Sequence, residues 1–164
     1  MQAEARSELL EAVASHPLAE LLACPPEAGN LLTGAAQTVS LDAGESVFRQ
    51  GGACRGLYVV VSGQFVRKTE RLKTRLTLGT ARAGDLVELA AALGDGVHTY
   101  TLSAQTAGSV LMLPIEALKH AFAHHPPLRM RLLEELAREV CRAYIVCSQN
   151  PPVSRRTRTS HAVA

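Results

Sequence analysis

Glu88 is the residue whose type and position most clearly suit chemistry in this chain. It lies in the stretch Leu78–Ala104, LGTARAGDLVELAAALGDGVHTYTLSA, which reads as strand, Gly-Asp turn, short apolar helix, glycine turn and strand. Its neighbours Leu86, Val87, Leu89, Ala90, Ala91, Ala92 and Leu93 leave one carboxylate embedded in an otherwise apolar helix. An ionised glutamate only accepts hydrogen bonds, so it suits a sugar hydroxyl. Helix N-termini offer free N–H groups and partial positive charge, which suit phosphate. The stretch therefore reads as a phosphate-and-ribose pocket, with a solvent-facing helix glutamate as the plainer alternative.

As an acid–base pair Glu88 has one candidate partner, His98. That histidine follows a glycine turn, where a strand-end histidine is usually just exposed. No second histidine stands in a spaced motif on the strands, so an enzyme of the metal-dependent cupin-like sort is not expected. The four cysteines, Cys24, Cys54, Cys141 and Cys147, form no Cys-x-x-Cys pair, and zinc or iron–sulfur ligation normally shows tighter spacing. His124-His125, placed before Pro126-Pro127, reads as a solvated helix end. No metal site is expected.

The elements that must position Glu88 follow from pattern. With 164 residues the chain builds one core rather than two, and 47% hydrophobic against 20% charged residues is a globular composition. A formal charge of +2 sets up no broad field toward nucleic acid or membrane. No apolar run approaches a membrane span, and the N-terminus MQAEARSELLEAVASH lacks the layout of a signal peptide. The expectation is a cytoplasmic protein with reduced thiols.

Residues 1–34 read as an N-terminal helical segment, with apolar spacing over Ser7–Leu22 broken at Pro17. Residues 35–114 switch to short alternating runs: Thr38–Leu41, Ser46–Arg49, Leu57–Val61, Gln64–Lys68, Thr74–Ala81, Thr99–Ala104 and Ser109–Leu113. Glycine turns separate them, the grammar of a small antiparallel roll or barrel. Residues 115–147 return to helical period, with one helix over Ile115–His124 and a second from Leu128 to about Cys147. On the second, Leu133, Leu136, Val140, Ala143 and Cys147 follow a 3-4-3-4 spacing, the seam pattern of paired helices. Leu132, Cys141, Tyr144 and Ile145 widen the apolar surface, so one stripe can face the roll and another a second subunit. The alternative is a helix packed only on its own roll. Residues 148–164 form a basic, aperiodic tail with Arg155, Arg156 and Arg158, read as a solvated, disordered terminus.

This ordered set resembles the cyclic-nucleotide-binding domain of the Crp/Fnr regulators. The resemblance is carried by Leu41-Asp42-Ala43-Gly44-Glu45, Gln50-Gly51, Leu57-Tyr58-Val59-Val60-Val61-Ser62-Gly63, Gly84-Asp85, Glu88-Leu89 and the long helix after Pro126. It implies a mainly β fold: an antiparallel jelly-roll flanked by helices, with the long C-terminal helix as dimer interface through Leu133, Leu136, Val140, Ala143, Tyr144 and Cys147. It also implies a ligand site at Gly84, Val87, Glu88, Leu89, His98 and Thr99. In that family a glutamate holds the ribose hydroxyl and an arginine pairs with the cyclic phosphate. Here Glu88-Leu89 match, Val87 replaces the preceding glycine, His98 stands at the arginine position and Thr99 at the following hydroxyl. Ala143 and Tyr144 replace the residues that offer hydroxyls to adenine.

These departures weaken the phosphate half and leave the ribose half at Glu88. A charge-assisted hydrogen bond contributes roughly 1.5–3 kcal/mol, so losing the guanidinium fork lowers affinity about ten- to a hundredfold. Cyclic AMP should bind weakly, and the effector is a cyclic nucleotide or another small phosphate-bearing molecule. Too few residues follow Cys147 for the family's winged helix-turn-helix, so direct DNA binding is not expected. The resemblance implies a dimeric sensor with a diverged pocket. The alternative is an interaction module whose pocket is vestigial.

Overall fold

Two strands are buried on both faces, which explains the two most apolar runs in the chain. The computed structural model describes residues 32–71 and 74–149. The elements are β1 (Gln37–Leu41), β2 (Ser46–Phe48), β3 (Gly56–Ser62), β4 (Gln64–Arg71), β5 (Thr74–Arg82), β6 (Leu86–Val87), α1 (Leu89–Leu93), β7 (Thr101–Ala104), β8 (Gly108–Pro114), α2 (Ile115–His124) and α3 (Pro126–Gln149). They form two four-stranded antiparallel sheets, ordered β1-β8-β3-β6 and β2-β7-β4-β5. The mainly β roll with flanking helices is the architecture expected from the sequence.

Side chains alternate across β3 and β8, as strand geometry requires. Leu57 and Val59 of β3, with Leu111 and Leu113 of β8, point outward under the helices and meet Leu89, Leu118, Ala121, Leu128 and Leu132. Tyr58, Val60, Val110 and Met112 point inward with Val87 of β6 and meet Phe48, Phe65 and Leu102 from the second sheet and Tyr100 just before β7. Both faces being covered, the strands read as continuous apolar runs rather than alternating ones. Gly56 is required where β3 and β8 cross closely, because a Cβ there would collide with the Leu113 carbonyl.

Helix α2 starts after Pro114 and stops before Pro126, the bounds read from sequence. Helix α3 spans 24 residues, about 36 Å at 1.5 Å per residue. Leu128 and Leu132 are buried beneath it, and Leu136 packs against the same cluster. Each four-residue step rotates about 40° around a helix, so the series drifts off the roll and Val140 emerges exposed. This corrects the expected seam: Leu136 belongs to the core side. Val140 and Tyr144 are exposed, Leu133 is half-buried, and all three lie about 120–160° around the helix from Leu128. The side chains of Ala143 and Cys147, the expected helices over Ser7–Leu22 and the tail from Asn150 lie outside the described residues.

Candidate functional site: a closed carboxylate under the roll

Glu88 is not embedded in a helix. Leu86 and Val87 form strand β6, pairing with Tyr58 and Val59 of β3, and the helix begins only at Leu89. Between them Glu88 takes a left-handed conformation, φ 68° and ψ 32°, the sole non-glycine positive φ among the described residues. Side chains other than glycine disfavour that region because Cβ crowds the following carbonyl. The reversal throws the Glu88 side chain into the protein rather than toward solvent.

There both oxygens are engaged. Oε2 lies 2.7 Å from Nδ1 of His98 and 3.4 Å from the Thr99 N–H. Oε1 accepts from the Thr99 hydroxyl at 2.9 Å. The Glu88 N–H donates to the Tyr100 hydroxyl at 3.1 Å. An ionised carboxylate only accepts hydrogen bonds, so Nδ1 of His98 is the donor whenever Glu88 is charged. Glu88 and His98 have side chains only 0% and 3% exposed, respectively, so this pair is withdrawn from water. The His98 ring stacks flat on Phe48, centroids 4.0 Å apart and planes 6° apart. Its backbone exchanges hydrogen bonds with the β2–β3 loop, Gly51 N–H to His98 O at 2.8 Å and His98 N–H to Gly52 O at 2.9 Å. The exposed strand-end histidine considered from sequence is therefore a buried one.

The remaining expected site residues are placed differently. Val87 is fully buried in the inner core, and Leu89 is buried in the outer one. Gly84 turns the chain at φ 91°, and its N–H is committed to the Val60 carbonyl at 2.7 Å. Only Glu88, His98 and Thr99 converge, and they satisfy one another. The open carboxylate expected for a ribose hydroxyl is thereby corrected: no oxygen of Glu88 is free of partners within its own chain.

Sequence reasoning missed a second layer around this network. Tyr100 is buried, and burial pushes its phenol well above the usual range, with Arg67 opposing and Glu88 adding to the shift. The Arg67 guanidinium lies 6.0 Å from the Tyr100 ring. Its Nε is the one buried side-chain nitrogen or oxygen among the described residues without a hydrogen-bond partner. Glu139 of α3 is half-buried, and burial raises its carboxyl, with Arg67 opposing and Glu135, Glu88 and Asp85 adding to the rise. Cys54 donates to the Gly56 carbonyl at 3.1 Å, and burial raises its thiol. No local signal marks Arg67 or Glu139, because the register Arg67↔Leu102 between β4 and β7 is what brings β4 beside Tyr100. Among the described residues no three His, Cys, Asp or Glu side chains gather as metal ligands, and no helix is long and apolar enough to cross a membrane.

The roll, the Glu88–Leu89 turn and the capping helices define the class. Residues 38–125 match the cyclic nucleotide-binding domain, and the chain belongs to that family. Its fold is similar to the sensor domain of the transcriptional regulator DNR from Pseudomonas aeruginosa, at 24% identity and TM-score 0.66, covering 79% of this chain and 91% of that one. It is similar to the catabolite activator protein of Thermus thermophilus at 24% identity and TM-score 0.66, covering 79% of this chain and 62% of that one. It is also similar to the regulatory domain of Toxoplasma gondii PKA, solved with cAMP, at 17% identity and TM-score 0.62, covering 72% of this chain and 44% of that one. No curated protein matches in sequence.

Proposed function

We propose that this chain is a regulatory sensor of the Crp/Fnr type whose effector pocket has diverged from cyclic AMP recognition. It signals in the cytoplasm, through the exposed face of α3 to a second copy of itself. The carrying observation is the closed network: the Glu88 carboxylate is fully buried and held by His98 and Thr99. A ribose hydroxyl would have to displace one of those partners, and His98 is spent on Glu88 rather than held out for a phosphate. Effector binding then acts by population shift, favouring an arrangement in which α1 and α3 sit differently against the roll.

A thermal-shift panel of cyclic AMP, cyclic GMP, AMP and small metabolites at pH 6 and pH 8 tests the reading. A ligand that binds only the folded state must raise the midpoint. The expected result is little response to cyclic AMP and a clear one to some other small molecule. The same buried network favours a second reading, a fixed interaction module with a vestigial pocket. A flat panel supports that module and overturns the sensor for those ligands.

A further inference from the structure

Helix α2 carries His120 and His124 in its last turn, with His125 as its cap, and the Glu88 network involves none of them. His120 and His124 stand one turn apart on the same helical face, and both are exposed. Residues four apart on a helix bring their Cβ atoms to about 5–6 Å. Two imidazoles at that spacing on one helix can share a zinc ion. His125 lies beyond the helix end.

The His124 ring is held as a ligand's ring would be. Its Nδ1 lies 2.8 Å from the backbone carbonyl oxygen of His120. That oxygen only accepts, so Nδ1 donates, and in the neutral ring the lone pair belongs to Nε2. Metal-bound histidines are almost always fixed in this way, the second ring nitrogen donating to a carbonyl, a carboxylate or water. Glu116 lies one turn before His120, but its Oε1 accepts from Lys119 Nζ at 2.8 Å. The face therefore offers two imidazoles and no third protein ligand, in keeping with the lack of any three-residue cluster among the described residues.

We propose that His120 and His124 form a two-imidazole site on α2 for a divalent transition ion of the zinc or nickel kind, with water in the remaining positions. Imidazole suits these ions, whereas magnesium and calcium take oxygen ligands. The ion joins Nε2 of His124 to a ring nitrogen of His120 and clips the turn that precedes Pro126. Helix ends are the places where backbone carbonyls lack partners, so a clip there adds most. Because α2 rests on the outer core through Leu118 and Ala121, the clip stabilises the fold without touching Glu88, His98 or Thr99. The site goes beyond the sensor reading and stands independently of it.

The test is calorimetric titration and thermal shift of the untagged, reduced full chain with nickel, zinc and magnesium ions. Wild type is compared with His120→Gln, His124→Gln and His125→Gln. Wild type is expected to bind nickel or zinc, to ignore magnesium, and to melt higher with the ion bound. His120→Gln and His124→Gln should each weaken binding at least about tenfold, and His125→Gln should bind as wild type. Silence of wild type toward both transition ions overturns the site. Undiminished binding in either His120→Gln or His124→Gln overturns it as well, as does an equal loss in His125→Gln. Should a glutamine variant differ from wild type by circular dichroism, the alanine variant at that position decides by the same criterion.

Discussion

The Oε2 atom of Glu88 lies 2.7 Å from Nδ1 of His98, deep in a roll whose other inward-facing residues are almost all apolar. His98 and Thr99 close the Glu88 carboxylate from within its own chain. The closure is built from backbone as well as side chains, since the left-handed turn at Glu88 aims the carboxylate inward and the β2–β3 loop clamps His98.

His98→Ala removes the partner and leaves a buried charge supported by Thr99 alone. Breaking a buried pair from one side costs about 3 kcal/mol, and the flat stack on Phe48 is lost as well. The unfolding midpoint should fall by about 10 °C. His98→Gln keeps a donor and should lose less. Calorimetry in which the alanine variant melts within a degree or two of wild type would contradict the network.

The left-handed backbone at Glu88 separates strain from network. Glu88→Ala and Glu88→Gly both strip His98 and Thr99 of their acceptor. Only glycine occupies φ 68° without a steric penalty. Glycine should therefore be the more stable of the two by about 1 kcal/mol, the reverse of the ranking inside a helix. Urea midpoints with alanine equal or ahead would show that the turn is unstrained.

Much of the roll could be read from local pattern, and the site could not, for a physical reason. The runs LYVVV and VLML are long enough, and covered on enough sides, that period and length identify β3 and β8. Pro114 and Pro126 bracket α2 because proline interrupts the helical ladder. Strand β6 has only two residues, Leu86 and Val87, followed at once by helix formers, so the whole stretch reads as helix. Glutamate is itself a good helix former, and nothing local announces a left-handed Glu88. The approach of Arg67 to Tyr100 depends on strand register, and the partial burial of Glu139 on where α3 lands. Those are long-range outcomes without a signature in sequence.

The outward stripe of α3 makes a prediction about assembly. Val140, Tyr144 and Ile145 are 58%, 73% and 51% exposed, an apolar surface that a second copy would cover in the sensor reading. Val140→Glu combined with Tyr144→Asp leaves the core residues Leu128, Leu132 and Leu136 untouched. Sedimentation should show the wild type as a dimer and the double variant as a folded monomer with an unchanged circular dichroism spectrum. Equal sedimentation of the two forms would place the partner surface elsewhere.

Glu139 supplies the pH dependence. Burial raises its carboxyl above the ordinary value of 4.5, with Arg67 opposing and Glu135, Glu88 and Asp85 adding to the rise. An acid with a higher pKa folded than unfolded binds more protons in the native state between the two values. Stability therefore falls as pH rises from the unfolded value through the folded one, and the loss is complete above it. Glu139→Gln removes the ionisable group and keeps the shape. The variant should melt a few degrees above wild type at pH 7, with the advantage shrinking toward zero as pH drops below about 4.5. Midpoints taken from pH 4 to pH 8 decide it. An advantage constant across that range would assign the effect to packing, and a variant less stable at pH 7 would mean that the attraction to Arg67 outweighs the cost of burial.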